Sequence, residues 1–357
     1  MNIGIYDPYL DDLGGGEKYM MTIAACLAEN NSVSIFWDNP QDLRDIHERF
    51  AVDISQLKLV KNIFSPHVSF WERFFQSKQY DVIIVLSDGS IPLLLTKKVL
   101  LHIQQPLEAM QTVTLVDKLK VARIYKFFCN SQYTKSFIDK QFHLQTTVLY
   151  PPVALHPRQI KKENIILHVG RFRVANVSIY GGNYKKQDIM IDAFKHMVDN
   201  GLKGWNFVLA VSIKERDKEA FATMQMSAKG YPIRFLINQT NEELWDIYSR
   251  AKIYWHASGY GEDLEKHPEY AEHFGIATVE AMGAGCVPVV IHAGGQTEIV
   301  QDGKNGLLWT TLDELQEKTE KLIEDKKLWE SFSKNAKKRA ADFSEKQFCE
   351  SVQKLIQ

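Results

Sequence analysis

The chain has 357 residues, 45% of them hydrophobic and 24% charged, with a formal net charge of -1, which are the proportions of a globular protein long enough for two domains of ordinary size. That balance excludes wholesale disorder, and the missing basic excess excludes nucleic acid as the main partner. The four cysteines, Cys26, Cys129, Cys286 and Cys349, fall at no metal-ligand spacing and are expected as reduced core thiols of a cytosolic protein.

Met1-Asn2 passes straight into a predicted strand over 3–6, without the charged, apolar and cleavage regions of a signal peptide, which predicts a cytoplasmic chain. Leu13-Gly14-Gly15-Gly16-Glu17 follows, then apolar residues at helical spacing over 19–27. Three glycines in a loop permit close backbone approach, so Gly15 and Gly16 are candidates to touch a phosphate or an acceptor, although such a run is also an ordinary turn. It is neither the dinucleotide fingerprint nor a phosphate loop. Strands are predicted over 33–37, 82–86, 99–102 and 127–130, and the most apolar run, 82–95, is broken by Pro92 and too short to span a bilayer.

His102 closes the strand over 99–102, where open α/β sheets place ligands and where a lone histidine is also commonly structural. Residues 118–128 mix four cations with large apolar side chains and no acid. They are read as a helix covering its own domain and running into a strand, with peripheral contact to an anionic lipid surface, at the inner face of a membrane, as the alternative. Asn130-Ser131-Gln-Tyr-Thr134-Lys135 opens a helix capped by Ser131. Leu149-Tyr150-Pro151-Pro152-Val153 then reads as a hinge, which divides the chain into domains over 1–150 and 151–335 with a terminal helical segment over 336–357.

Past the hinge, a strand over 165–170 leads into Gly170-Arg171-Phe172, a polar loop, and Lys185-Lys186-Gln-Asp188 ahead of a helix over 189–197. Strands over 207–211, 233–236, 253–256 and 287–291 alternate with helices, including a capped one over 241–251. This alternation calls for parallel sheets with crossover helices, an α/β fold class, on both sides of the hinge. The histidines and acids over 255–272 match no compact ligand set, so the segment is read as a loop and no catalytic metal is predicted.

Glu272-His-Phe-Gly-Ile-Ala-Thr-Val-Glu280 is the most informative stretch. A helix is predicted over 276–282, stopped by Gly283-Ala-Gly285 before the strand over 287–291. Its first amides lack internal partners and carry the positive end of the helix dipole, so Gly275 would let a diphosphate approach the backbone. Glu280, in the second turn, can accept hydrogen bonds from a ribose diol, and Glu272, just before the helix, from the hydroxyls of a sugar beyond the phosphates. The plainer account is a solvated helix face with a capping carboxylate. Gly294-Gly295-Gln-Thr-Glu298 repeats the pattern of a glycine turn and a helix start, and the chain after 311 is charged and helical.

The stretch from Glu272 to Glu280 resembles the donor-site signature of retaining glycosyltransferases of family 4 (glycosyltransferases group 1), and the other motifs stand in that family's order. The resemblance implies the GT-B architecture: two facing Rossmann-like domains with parallel sheets and an interdomain cleft, an acceptor-side domain first, a nucleotide-sugar domain second, and a last helix packed back on the first. It also implies that Gly15 and Gly16 touch the donor and that Gly170, Arg171 and Lys185 grip its diphosphate. The loop between those two cations is unusually long, and the choice between Lys185 and Lys186 stays open. His102 would face the reacting sugar, and Glu272, Phe274, Gly275, Ile276 and Glu280 would complete the donor site, with His102, Arg171, Lys185 and Glu272 as the catalytic set.

The implied reaction moves a hexosyl group from a nucleoside diphosphate sugar to a hydroxyl of a glycan, polysaccharide or lipid-linked sugar, with retention and without a metal, as in the synthesis of cell-surface polysaccharides or glycolipids. Fixed cations and helix amides stabilise the departing phosphate. Glu272 and Glu280 are not a glycosidase pair, which must flank the scissile bond. A nucleotide-sugar epimerase and a catalytically silent binding subunit are the alternative readings.

Overall fold

A computed structural model of the chain describes residues 1–12, 14–107, 109–110, 114–172 and 185–357. Most of the loop between Arg171 and Lys185, with its two glycines, therefore lies outside the described residues. The chain forms two compact units, Met1–Pro152 with Glu345–Gln357, and Val153–Ser344. The segment that returns to the first unit begins at Glu345 rather than at 336, since the residues before it finish a helix and a turn of the second unit.

In the first unit the elements run β1 (Asn2–Tyr6), α1 (Gly15–Ala28), β2 (Ser32–Phe36), α2 (Pro40–Phe50), β3 (Leu57–Val60), α3 (Phe70–Gln76), β4 (Val82–Leu86), β5 (Lys98–Ile103), α4 (Leu115–Arg123), β6 (Ile124–Cys129), α5 (Gln132–Phe142) and β7 (Thr146–Val148). The strands make one parallel sheet in the order β3-β2-β1-β4-β5-β6-β7. Central strands of such a sheet are covered on both faces and read as continuous β-branched runs, as in Val82–Leu86, where every residue is buried. The expected strands are all present; β3 and β7, which were not expected, are the two edges, where burial is partial and the apolar pattern short.

Two features depart from the expectations. Helix α1 begins at Gly15, with the Glu17 carboxylate closing back on the Gly14 amide, so Gly15 and Gly16 form its first turn rather than a loop. And α4 covers its own domain only thinly: none of its residues is fully buried, Val121 alone packs against the core, and the helix runs directly into β6 as expected. No described helix is long and apolar enough to cross a membrane.

The second unit runs β8 (Glu163–Arg171), α6 (Gln187–Asp199), β9 (Asn206–Ser212), α7 (Lys218–Ser227), β10 (Ile233–Ile237), α8 (Asn241–Arg250), β11 (Ala251–His256), α9 (Ile276–Gly283), β12 (Val287–Ile291), α10 (Gln296–Ile299), β13 (Leu307–Trp309), α11 (Leu312–Glu324) and α12 (Lys326–Ala340). Its sheet is again parallel, in the order β10-β9-β8-β11-β12-β13, around a core that includes Phe194, Phe207, Trp255 and Trp309. The direction of strand addition reverses between β8 and β11. Open α/β sheets bind ligands beyond the carboxyl ends of strands at such a reversal.

The final helix, α13 (Glu345–Ile356), lays Phe348, Val352, Leu355 and Ile356 into the same core as Met20, Ile23 and Leu27 of α1. Cys349 is joined to Cys26 by a disulfide across 323 residues of sequence. This corrects the expectation that all four thiols are free, which holds only for the buried Cys129 and Cys286; the separation in sequence hides a proximity that the α1–α13 packing creates. By chain-entropy reasoning a bridge closing so long a loop stabilises the folded chain by roughly 2–5 kcal/mol.

Candidate active site

At the carboxyl ends of β8 and β11, three side chains meet on one oxygen. Lys185, two residues ahead of α6, pairs with Glu272 Oε2 at 2.5 Å, and His256, the last residue of β11, lies with Nε2 3.0 Å from the same oxygen. A carboxylate only accepts, so His256 Nε2 carries the proton and donates, which leaves Nδ1 bare; that atom is buried and without a partner among the described residues. Burial acts to raise the Glu272 pKa, but Lys185 and His256 outweigh it and hold the carboxyl well below the ordinary range. Burial likewise keeps His256 neutral by lowering its pKa against the pull of Glu272.

Below this group lies a second histidine. His168 on β8 is wholly buried, with Nδ1 3.0 Å from the Trp255 carbonyl, and burial, then His256, push its pKa down to about 3. Gly170 follows on the same face of the strand: a Cβ there would lie 3.0 Å from His168 Nε2 and 3.5 Å from Lys185 Cγ. The two lysines separate, Lys185 going to Glu272 and Lys186 to Glu262, with Lys186 in a left-handed conformation (φ 52°) that turns the chain into α6. Arg171, the last residue of β8, lines a small cavity of about 190 Å³ with Val169, Gly170, Ser212, Gln239 and Leu244.

Helix α9 supplies the remaining parts. Gly275 precedes it at φ 120°, and a Cβ there would come 2.6 Å from Gln296 Nε2, so its own packing as well as any ligand requires glycine. The amides of Thr278 and Val279 bond back to the Gly275 carbonyl, which leaves those of Ile276 and Ala277 as the open first turn. Glu280 accepts a hydrogen bond from Tyr248 at 3.0 Å, which fixes the carboxylate from the side of α8. Phe274 is buried edge-on to Phe343, so it packs rather than faces outward. The loop carrying Glu272 is pinned by Gly295, whose amide donates to the Glu272 carbonyl at 2.7 Å.

Gly15, Gly16 and His102 belong to the first unit. His102 is stacked between Tyr19 and Phe128, at 4.6 and 4.7 Å between ring centroids, and is wholly buried, with its pKa lowered to about 3 by burial. It is a core histidine with no surface for a sugar, a correction to its expected role. A side chain at Gly16 would strike that of Gln104, while one at Gly15 would meet nothing within 4 Å. His256 and Tyr248 are the site residues that motif reasoning missed; the histidine lay in a segment weighed for a metal and read as a loop that shapes the donor cleft.

Histidines buried as neutral groups make folding sensitive to acid, with a net effect whose size differs between the units. The unfolded chain binds protons at His168 and His256 below about pH 6.5 while the second unit does not, so that unit loses stability as pH falls, by up to roughly 1.4 kcal/mol per pH unit per histidine. In the first unit His102 acts the same way, but Asp7, whose pKa burial raises to about 7, acts oppositely between about pH 4 and 7, where the folded unit holds the extra proton. The two nearly cancel. Peptide-level hydrogen exchange at pH 7.5 and 5.5, corrected for the intrinsic exchange rate, is expected to show the second unit losing protection well before the first; equal loss in both would refute the assignment.

Residues 156–339 match the family described as "Glycosyl transferases group 1". The chain is 24% identical over 237 residues to the GDP-Man:Man(3)GlcNAc(2)-PP-Dol alpha-1,2-mannosyltransferase of Dictyostelium discoideum, a match covering 61% of the chain and 43% of that relative. It is 23% identical to the Alpha-1,3/1,6-mannosyltransferase ALG2 of the same organism, over 100% of the chain and 98% of the relative. The fold is similar to that of Anabaena Alr3699/HepE, solved with UDP and glucose, at a TM-score of 0.69 and 19% identity over 99% of each chain. It is also similar to that of WaaG, a glycosyltransferase involved in lipopolysaccharide biosynthesis, at 0.61 and 14% over 100% of this chain and 99% of that one.

Proposed function

The chain belongs to the glycosyl transferases group 1 family, with the GT-B fold, and from that membership we propose that it transfers a hexosyl group, mannosyl in the first instance, from a nucleoside diphosphate sugar to an acceptor hydroxyl with retention at the anomeric carbon. The observation that carries this reading is the meeting of Lys185, His256 and Glu272 at the strand reversal of the second sheet. The donor diphosphate lies over the amides of Ile276 and Ala277, the positive end of α9, and Glu280, held by Tyr248, accepts from the ribose.

Only Oε2 of Glu272 is engaged among the described residues, which leaves Oε1 to accept from a sugar hydroxyl. Lys185, with Arg171 reaching from the strand end, stabilises the charge that builds on the leaving phosphate, and that phosphate takes the acceptor proton. In this reading neutralisation falls to these cations and amides rather than to a metal. The two mannosyltransferase relatives, one named for a lipid-diphosphate acceptor, favour a lipid-linked sugar as acceptor and a peripheral place at a membrane.

The test is thermal denaturation with a panel of nucleoside diphosphate sugars, with and without a chelator. At least one donor is expected to stabilise the protein, by roughly 2.7 kcal/mol at a hundred times its Kd, and equally with chelator. If no nucleotide sugar stabilises it, the reading fails, and donor conversion without acceptor would make the protein an epimerase.

A further inference from the structure

The disulfide between α1 and α13 can be approached from one side. A cavity of about 640 Å³ lies in the first unit between α1, α13 and the turn that joins α2 to β3, and both Cys26 and Cys349 stand in its wall. Cys26 is only 2% exposed, whereas Cys349 is half-buried at the margin of the core. The sulfur of Cys349 is therefore the one that a dissolved reagent meets first.

Contacts other than the bridge also hold the two helices together. Gln353 Nε2 donates to the Cys26 carbonyl at 2.8 Å, Lys98 and Lys126 donate to the carbonyls of Ile356 and Leu355 at 2.9 Å each, and the apolar face of α13 lies in the shared core. With α13 so anchored, the Cα atoms of the two cysteines keep the 5.2 Å spacing that suits a disulfide. The pair can thus open and close without the fold being rebuilt. Its thiols are unequal, because Cys26 stands in the last turn of α1, where the negative end of the helix dipole opposes a thiolate.

The cavity also selects by charge. Glu29, Asp53, Glu345 and Glu350 line it against one cation, Lys346, and all five are exposed. Such charges act over about a Debye length, ~10 Å at 0.1 M salt, so an anionic reagent is repelled from Cys349 and a cationic one is concentrated there.

We propose that Cys349 is a thiol-exchange site for small cationic disulfides, with Cys26 as the resolving thiol. Starting from the reduced pair, the Cys349 thiolate attacks one sulfur of an amine-bearing disulfide and bonds to it, and the other half departs as a thiolate that takes up the proton Cys349 lost. Cys26 then attacks the Cys349 sulfur and expels the remaining half in the same way. The two protein thiols are oxidised to the disulfide, and the reagent is reduced to two small thiols. This activity lies outside sugar transfer and is tested without any nucleotide sugar.

The test is intact-mass spectrometry of the full chain, reduced, freed of reductant and mixed with cystamine or with oxidised glutathione, whose net charges are opposite. Relative to the rates of the two reagents with free mercaptoethanol, cystamine is expected to close the bridge roughly tenfold faster than glutathione, an advantage that salt removes. The double variant Glu345→Gln, Glu350→Gln loses most of that advantage. Cys26→Ser is expected to stop at a cysteamine adduct on Cys349, while Cys349→Ser forms its adduct on Cys26 roughly tenfold more slowly or worse. Peptide mapping of the reduced wild type with iodoacetamide, which is neutral, checks the same order without any variant: Cys349 is alkylated before Cys26. Equal normalised rates for the two disulfides, or Cys26 reacting as fast as Cys349, overturns the proposal. So does a bridge between two copies of the chain in place of the internal one, and so does labelling of the buried Cys129 and Cys286 at the rate of Cys349, since the chain then reacts from an opened state.

Discussion

Glu272→Gln is expected to lower kcat/KM for sugar transfer by roughly a hundredfold or more. Glutamine keeps the shape of the side chain and removes its charge. Lys185 and His256 now share one carboxylate oxygen; an amide offers one oxygen without charge and an NH2 that cannot accept. If the amide oxygen faces Lys185 and His256, its NH2 meets the donor sugar where an acceptor was needed. If it flips, the NH2 confronts two donors. Either way Lys185 loses the partner that aims it, and a cation displaced by an ångström no longer lies where charge develops on the departing phosphate. Glu280→Gln serves as the contrast. Its bond from Tyr248 at 3.0 Å survives with the amide oxygen as acceptor, and the ribose contact proposed for it would be the same in ground and transition states, so the loss should appear in the donor KM with kcat little changed. Steady-state kinetics on both variants checks this, and a near-normal kcat/KM in Glu272→Gln would remove the site assignment.

The second large effect is expected from a residue that touches no ligand. Gly295 has an ordinary helical backbone (φ -64°), so alanine there carries no conformational penalty. Yet its Cβ would lie 2.4 Å from Phe274 Cα, 2.5 Å from Phe274 O and 2.6 Å from His273 O. All three are backbone atoms, with no flexible side chain to move aside. The loop 272–274 must shift as a body, taking Glu272 away from Lys185 and breaking the 2.7 Å bond from the Gly295 amide to the Glu272 carbonyl. Gly295→Ala is therefore expected to destabilise the second unit by about 1–3 kcal/mol through overpacking and to cut kcat/KM by about a hundredfold through misplacement. Gly303→Ala, where a Cβ meets nothing within 4 Å, should cost stability through its left-handed backbone and leave the kinetics intact. Urea unfolding with donor titration separates the two; wild-type donor affinity in Gly295→Ala would show that the glycine does not position the loop.

The central strands and the α9 segment were legible in the sequence because each is a local signal. Val82–Leu86 and Val287–Ile291 are continuous apolar runs, and the small residues at 283–285 stop a helix at the place where α9 does end. The edge strands β3 and β7 were not legible, since edges need less apolar surface, and β13 was missed because its buried apolar run is only three residues long. The site was legible only in part. Glu272, Gly275 and Glu280 lie in one contiguous stretch, but the groups that orient them come from elsewhere in the chain, His256 from β11 and Tyr248 from α8. His102 shows the opposite error: strand-end position was visible, while the rings of Tyr19 and Phe128 that enclose it were not. The same holds for Cys26 and Cys349, whose meeting depends on α1 and α13 sharing a core.

That shared core makes the first unit discontinuous, with all of Val153–Ser344 falling between its two parts. During synthesis the second unit leaves the ribosome complete and free to fold, while Met20, Ile23 and Leu27 still lack the helix that buries them. The amino-terminal half thus matures after the half that follows it, and until then its α1 groove is an apolar seam open to chaperones or to the wrong partner. Oxidation of Cys26 with Cys349 marks the end of that exposure and locks the late-arriving helix in place.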